Sequence, residues 1–176
     1  MHLTNLNITI KRKRWTLWFE KSFLRFLITC ETASHIHLLK HRIGVSINAE
    51  SARYKELSED KIYIPADWPS FWKDALTKHA QESLNLYHNL LEQTDLSDRK
   101  RLKESARFFL PYANQLTLDV SFNFRSFMHF QGLRNKPDAQ VEIQNIADRM
   151  LNLVAAKGIF KYSLEAFGYT LWFLLG

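Results

Sequence analysis

The sequence predicts an α+β fold in which long helices pack on a small, mainly antiparallel sheet. Two patterns carry this. From Leu116 to Phe124, apolar Leu116, Leu118, Val120, Phe122 and Phe124 alternate with Thr117, Asp119, Ser121 and Asn123, the period of a half-buried strand. From Trp72 to Leu90, by contrast, Trp72, Leu76, Ala80, Ser83, Tyr87 and Leu90 recur at helical spacing. A third pattern is a second long helical stretch, residues 138–156, with Asp138 as cap and Gly158 as stop.

The elements follow in order. Leu6–Ile10 is a short alternating run, and Lys11-Arg12-Lys13-Arg14 after it reads as a solvated basic tail within residues 1–14. Phe23–Cys30 is rich in aromatic and β-branched residues and reads as a strand; Thr32–Leu39 reads as a short helix delivering Lys40. Residues 61–65 read as a strand or extended loop. Asp67 is expected to cap a helix reaching Leu91, with Pro69 in its first turn. Ser97 or Asp98 is expected to cap a charged helix to Phe109, ended by Pro111. A helix over 125–133 follows the clear strand, and 162–167 adds a last turn. On the clear strand the apolar side chains face inward and Asn123 the other way.

Composition narrows the function classes. The 176 residues suffice for one domain with a real core. A net charge of +6 favours anionic partners such as nucleotides or phosphorylated cofactors. The single cysteine, Cys30, excludes a disulfide framework and a multi-cysteine zinc site, and fits a reducing cytoplasm; its apolar neighbours make it a core residue. No apolar run reaches membrane-spanning length, and the start lacks a signal-peptide pattern. His79 and His88 lack paired ligands, so no metal site is expected. With no Gly-x-Gly-x-x-Gly motif, a dinucleotide would have to be held largely by side-chain cations.

Those cations concentrate at Lys40–Tyr54. Lys40, Arg42 and Arg53 suit phosphate oxygens, Ser46, Asn48 and Ser51 can complete polar coordination, and Gly44 allows a bend or a close backbone approach. A solvated charged loop is the bland alternative. The stretch resembles the signature of the flavin-dependent thymidylate synthases (the ThyX family): Arg-His-Arg, seven residues, Ser, then an Arg-Tyr pair. Here it is Lys40-His41-Arg42, eight residues, Ser51, then Arg53-Tyr54. Arg107-Phe108-Phe109-Leu110-Pro111, Asn123-Phe124-Arg125, Leu133-Arg134 and Ala139-Gln140-Val141-Glu142-Ile143 occur in the order that family shows, so the resemblance covers about residues 20–167.

The resemblance implies FAD binding by Lys40, His41, Arg42, Ile43, Asn123, Phe124, Arg125 and His129. It implies dUMP binding by His37, Lys40, Ala49, Glu50, Ser51, Ala52, Arg53, Arg107 and Arg134. Arg134 is implied as the catalytic residue, set against the uracil ring to favour its ionised form. His37 replaces a usual Gln, and Trp15 falls near a histidine tied to folate and flavin stacking, so that role does not transfer. The implied reaction is reductive methylation of dUMP to dTMP with methylenetetrahydrofolate and NADPH as co-substrates. A ThyX-like single domain over 1–176, atypical at 168–176, and a cytoplasmic homotetramer with shared active sites are implied as well. Members carry a further strand and helix near the start, so the chain is expected to be N-terminally shortened. The alternatives are a catalytically impaired member that only binds nucleotide or flavin, and a basic nucleic-acid-binding module, the weaker because its basic clusters lack interleaved aromatics.

Overall fold

The computed structural model describes residues 19–50, 61–92 and 99–169. The expectations for Leu6–Ile10, Lys11–Arg14, Trp15, the Ser97 or Asp98 cap, and Ser51, Ala52 and Arg53 lie outside the described residues. Three strands, β1 (Leu24–Glu31), β2 (Val45–Ala49) and β3 (Gln115–Phe122), form an antiparallel sheet in the order β1-β3-β2. Six helices stand among the described residues: α1 (Thr32–Leu39), α2 (Ser70–Leu91), α3 (Arg99–Ala106), α4 (Phe124–Arg134), α5 (Val141–Ala156) and α6 (Lys161–Ala166). Single 3-10 turns occur at Phe19–Lys21 and Arg107–Phe109. The expected α+β architecture is what the chain adopts.

The chain divides into two compact units. One comprises Met1–Arg25, Arg42–Ser46 and Ser121–Gly176; the other comprises Phe26–His41 and Ile47–Val120. In the second unit α2 packs against α3 through Tyr87, Leu91 and Ala106, with Leu90 and Leu110 at the margin. Residues 61–63 pair with 113–115: Tyr63 N–H donates to Ala113 O (2.9 Å) and Gln115 N–H to Lys61 O (2.8 Å). α1 follows β1 without a linker because the Glu31 carboxylate accepts from Ser34 N–H at 3.1 Å and from the Ser34 hydroxyl, satisfying an otherwise orphaned amide.

The first unit is built on phenylalanine. Phe122 lies 6.0 Å from Phe127 and 5.4 Å from Phe130, ring centre to ring centre. Phe124 meets Phe19 (5.4 Å), Phe160 (5.8 Å) and Phe167 (5.9 Å). Phe122, Phe127 and Phe130 are fully buried, and each such ring stabilises the fold by about 1.5–3 kcal/mol over leaving it in water. α4 is tied to α5 by a buried amide: Gln131 Nε2 donates to Ala147 O at 2.9 Å, and its Oε1 accepts from Asn135 Nδ2 at 3.1 Å.

Four local expectations are corrected. Pro69, not Asp67, starts α2; its carbonyl takes the N–H groups of Trp72 (3.0 Å) and Lys73 (3.1 Å), so no side-chain cap is used. Trp72 is not core but 57% exposed, since the buried stripe of α2 begins only at Ala80. Gln140 rather than Asp138 precedes α5, and Asp138 instead accepts from Lys136 Nζ at 3.1 Å. β3 ends at Phe122, because Asn123 leaves the ladder to cap α4.

Candidate functional site

A candidate site in the first unit lies where the Ile43–Gly44 turn meets the start of α4. Asn123 Oδ1 accepts from Ser126 N–H (2.8 Å), fixing the helix start. Asn123 N–H donates to Gly44 O (2.8 Å), and the Ser126 hydroxyl donates to Ile43 O (2.6 Å). Turn and helix are thereby bolted together. Gly44 sits at φ +65°, where only glycine is unstrained, and a Cβ there would lie 2.1 Å from Asn123 Nδ2.

Beside this junction is a cavity of about 400 Å³ lined by Glu20, Ile43, Asn123, Arg125, Ser126 and His129. Arg125 and His129 are four residues apart and so share one face of α4. The helix start adds positive potential. Its amides are largely used internally: Phe124 N–H donates to Ser22 Oγ (3.1 Å), Ser126 N–H to Asn123 Oδ1, and Phe127 N–H to Asn123 O (2.9 Å). Anion contacts therefore fall mainly to the guanidinium of Arg125 and the imidazole of His129. Arg125 is paired with the Glu20 carboxylate.

Four of the flavin residues expected from the sequence, Ile43, Asn123, Arg125 and His129, thus line one cavity. Arg42, immediately before this turn, is exposed. Phe124 is 1% exposed within the aromatic cluster, so its ring anchors the helix start from behind. Arg134 is the half-buried last residue of α4, where Asn135 N–H donates to Gln131 O (2.9 Å) and the buried Gln131 amide holds the final turn.

The other expected residues belong to the second unit. Lys40 is exposed at the C-terminal end of α1 and His41 N–H donates to Leu38 O (3.0 Å). His37 is half-buried on α1. Ala49 ends β2, and Glu50 clamps β3, with its N–H on Thr117 O (3.0 Å) and its carboxylate accepting from Thr117 N–H (3.2 Å). Arg107 is exposed; its Nε–H donates to Glu104 O (3.1 Å) and its guanidinium lies 6.0 Å from the Phe108 ring centre.

Sequence reasoning missed Glu20 and Ser126. Asn123 followed three residues later by Ser126 has the spacing of a capped helix start, a signal hidden by the strand alternation around it. Glu20 had none. Two groups have titrations shifted by their surroundings: burial, and secondarily the neighbouring Glu31, pushes the Cys30 thiol up to about 12, and burial lowers half-buried His35, whose Nε2 has no hydrogen-bond partner among the described residues.

The family model described as "Thymidylate synthase complementing protein" (Thy1) matches residues 5–157. The flavin-dependent thymidylate synthase of Clostridium tetani is 32% identical over 143 residues, covering 72% of this chain and 56% of the relative. That of Pyrococcus abyssi is 32% identical over 138 residues, covering 73% and 52%. The Pseudothermotoga lettingae enzyme is 30% identical over 154 residues, covering 85% and 68%. The chain spans about half the length of the first two of these relatives. Among solved structures, the UMP/dUMP methylase PolB from Streptomyces cacaoi bound with 5-Br dUMP is similar with a TM-score of 0.68 at 27% identity, over 83% of this chain and 72% of that one. Its form bound with 5-Br UMP gives 0.67 at 26% identity, over 90% and 80%. No helix among the described residues is long and apolar enough to cross a membrane.

Proposed function

The chain belongs to the Thy1 (ThyX) family, and from that premise we propose that it is a flavin-dependent thymidylate synthase converting dUMP to dTMP. The observation that carries this reading is the convergence of Ile43, Asn123, Arg125 and His129, drawn from two distant stretches of sequence, on one cavity. The cavity's chemistry fits the anionic part of FAD. It offers a guanidinium, an imidazole and a helix start, and its volume falls in the range of about 300–1,000 Å³ usual for small-molecule sites. Lys40, His41, Arg42, Ile43, Asn123, Phe124, Arg125 and His129 hold the cofactor in this reading, with Phe124 acting through the backbone it anchors. Bound FAD supplies hydride chemistry, with NADPH as reductant and methylenetetrahydrofolate as carbon donor.

The protein's own share is position and electrostatics. Arg125 binds phosphate as a two-pronged donor, whereas Lys40 acts as a point charge and specifies geometry less. Arg107, with His37, Lys40, Ala49, Glu50, Ser51, Ala52 and Arg53, binds dUMP. Arg134 faces the uracil ring and favours its anionic form; such a cation lowers the barrier only if prepositioned, and the Gln131–Ala147 and Gln131–Asn135 bonds are what steady the end of α4. Assembly as a homotetramer with shared active sites, in the cytoplasm, completes the proposal.

A second reading is a member that binds flavin or nucleotide without turnover, favoured by Lys40 standing where the family signature has arginine. One assay separates the two. Purified protein is incubated with 5-tritiated dUMP, and in parallel UMP, with FAD, the folate and NADPH omitted in turn. A synthase releases tritium only in the complete mixture. Protein that takes up FAD, shows a dUMP-perturbed flavin spectrum and releases nothing is the binder; protein that cannot be reconstituted with FAD ends the synthase reading, and if it also fails to bind dUMP it ends the second.

A further inference from the structure

Glu20 is a carboxylate lining a cavity otherwise furnished for an anion. Its position is built rather than incidental. The turn that carries it is pinned by Phe19, whose ring lies 5.4 Å from Phe124 and 5.3 Å from Phe167. On the other side the Ser22 hydroxyl donates to Phe19 O (2.7 Å) and accepts from Phe124 N–H (3.1 Å). Between these anchors the Glu20 carboxylate meets the Arg125 guanidinium. We propose that Glu20 is a specificity-determining residue that acts as a built-in competitor for phosphate at Arg125, holding the guanidinium until a phosphorylated ligand displaces it. This rests on the flavin reading for the identity of the ligand, though not for the exchange itself.

Displacement follows from charge and exposure. A phosphate sharing Arg125 with Glu20 would set two anions side by side with one cation between them, and repulsion disfavours that arrangement. The two side chains are 48% and 40% exposed, so their pairing is weak and easily exchanged. The more highly charged phosphate group wins the guanidinium, while a ligand without phosphate leaves Glu20 in place. Glu20 thereby sets what a phosphorylated flavin must overcome at Arg125, and its effect falls on FAD and FMN while sparing riboflavin.

The test titrates the full chain, freed of bound flavin, with FAD, FMN and riboflavin by fluorescence, comparing wild type with Glu20→Gln. That substitution keeps the shape and removes the charge. FAD and FMN should bind about two- to fivefold more tightly to the variant, with riboflavin unchanged. Unchanged or weaker FAD binding would overturn the proposal, the weaker result making Glu20 a residue that merely orients Arg125. Inorganic pyrophosphate separates this from the flavin reading, followed by the Arg125 Nε–H resonance assigned through Arg125→Lys. If neither protein binds any flavin but pyrophosphate binds Glu20→Gln more tightly, the flavin reading fails and the displacement stands. Pyrophosphate that leaves the resonance unmoved, or that binds the variant no better, sinks the displacement.

Discussion

At Gly44 two demands coincide, a left-handed backbone and the absence of a side chain. The φ of +65° costs an alanine about 1–2 kcal/mol, and its Cβ would also press on Asn123, whose amide is already committed to capping α4. Gly44→Ala should therefore lose at least about 2 kcal/mol of stability in a urea titration and weaken FAD binding in step; an unchanged midpoint would refute this account of the turn. Asn123→Ala should cost about 1 kcal/mol through the lost cap, while Asn123→Asp keeps the cap and nearly full stability. His35 makes a prediction in pH. Burial lowers its folded pKa, so the unfolded chain takes up the proton first as pH falls below about 6.5. Stability is intact above that value and declines below it until the folded pKa is passed. Replacing His35 with Leu should flatten that acid slope in urea midpoints collected from pH 7 to 5.

Elements are legible where periodicity runs uninterrupted and obscure where two patterns overlap. Thr32–Leu39 has the bounds its sequence suggests, and β3 and α4 appear within two residues of expectation. Asn123 reads as strand because Leu116–Phe124 alternates throughout; the switch into α4 depends on a side chain bonding its own backbone, which alternation cannot report. Trp72 reads as core because helical spacing marks a stripe without saying which part of it meets a neighbour. The cavity is half legible. Gly44 stands out as a point of close approach, whereas Glu20 owes its place to Arg125, 105 residues away, and nothing local encodes that. The Gln131 amide between α4 and α5 gives the element-scale prediction. Gln131→Ala removes a buried bond between α4 and α5 and leaves a void at a fully buried side chain, and should destabilise the protein by about 1–3 kcal/mol. Because Arg134 ends the same helix, kcat should fall more than KM for dUMP rises. Equal effects on both would show that α4 positions nothing for the chemical step.

For the whole molecule, the question is whether the folded chain gains stability from the ligands of the proposed reaction. Linkage answers this without any turnover. A ligand that binds only the native chain raises the unfolding free energy by about 2.7 kcal/mol at one hundred times its Kd. FAD at that excess should produce this shift in a urea titration followed by tryptophan fluorescence. dUMP added to the FAD-loaded protein should raise it further, whereas an acidic nucleic acid of matched charge should not. The net charge of +6 means part of any nucleotide effect is nonspecific, and that part decays steeply with salt. The FAD increment should therefore keep most of its size at about 0.3 M salt, where exposed charges beyond the Debye length are screened but a guanidinium at about 3 Å from phosphate still binds. An increment that vanishes at that salt would mean the cations of this chain attract anions without enclosing them, and the synthase reading would give way to a family member that kept the fold and lost the site.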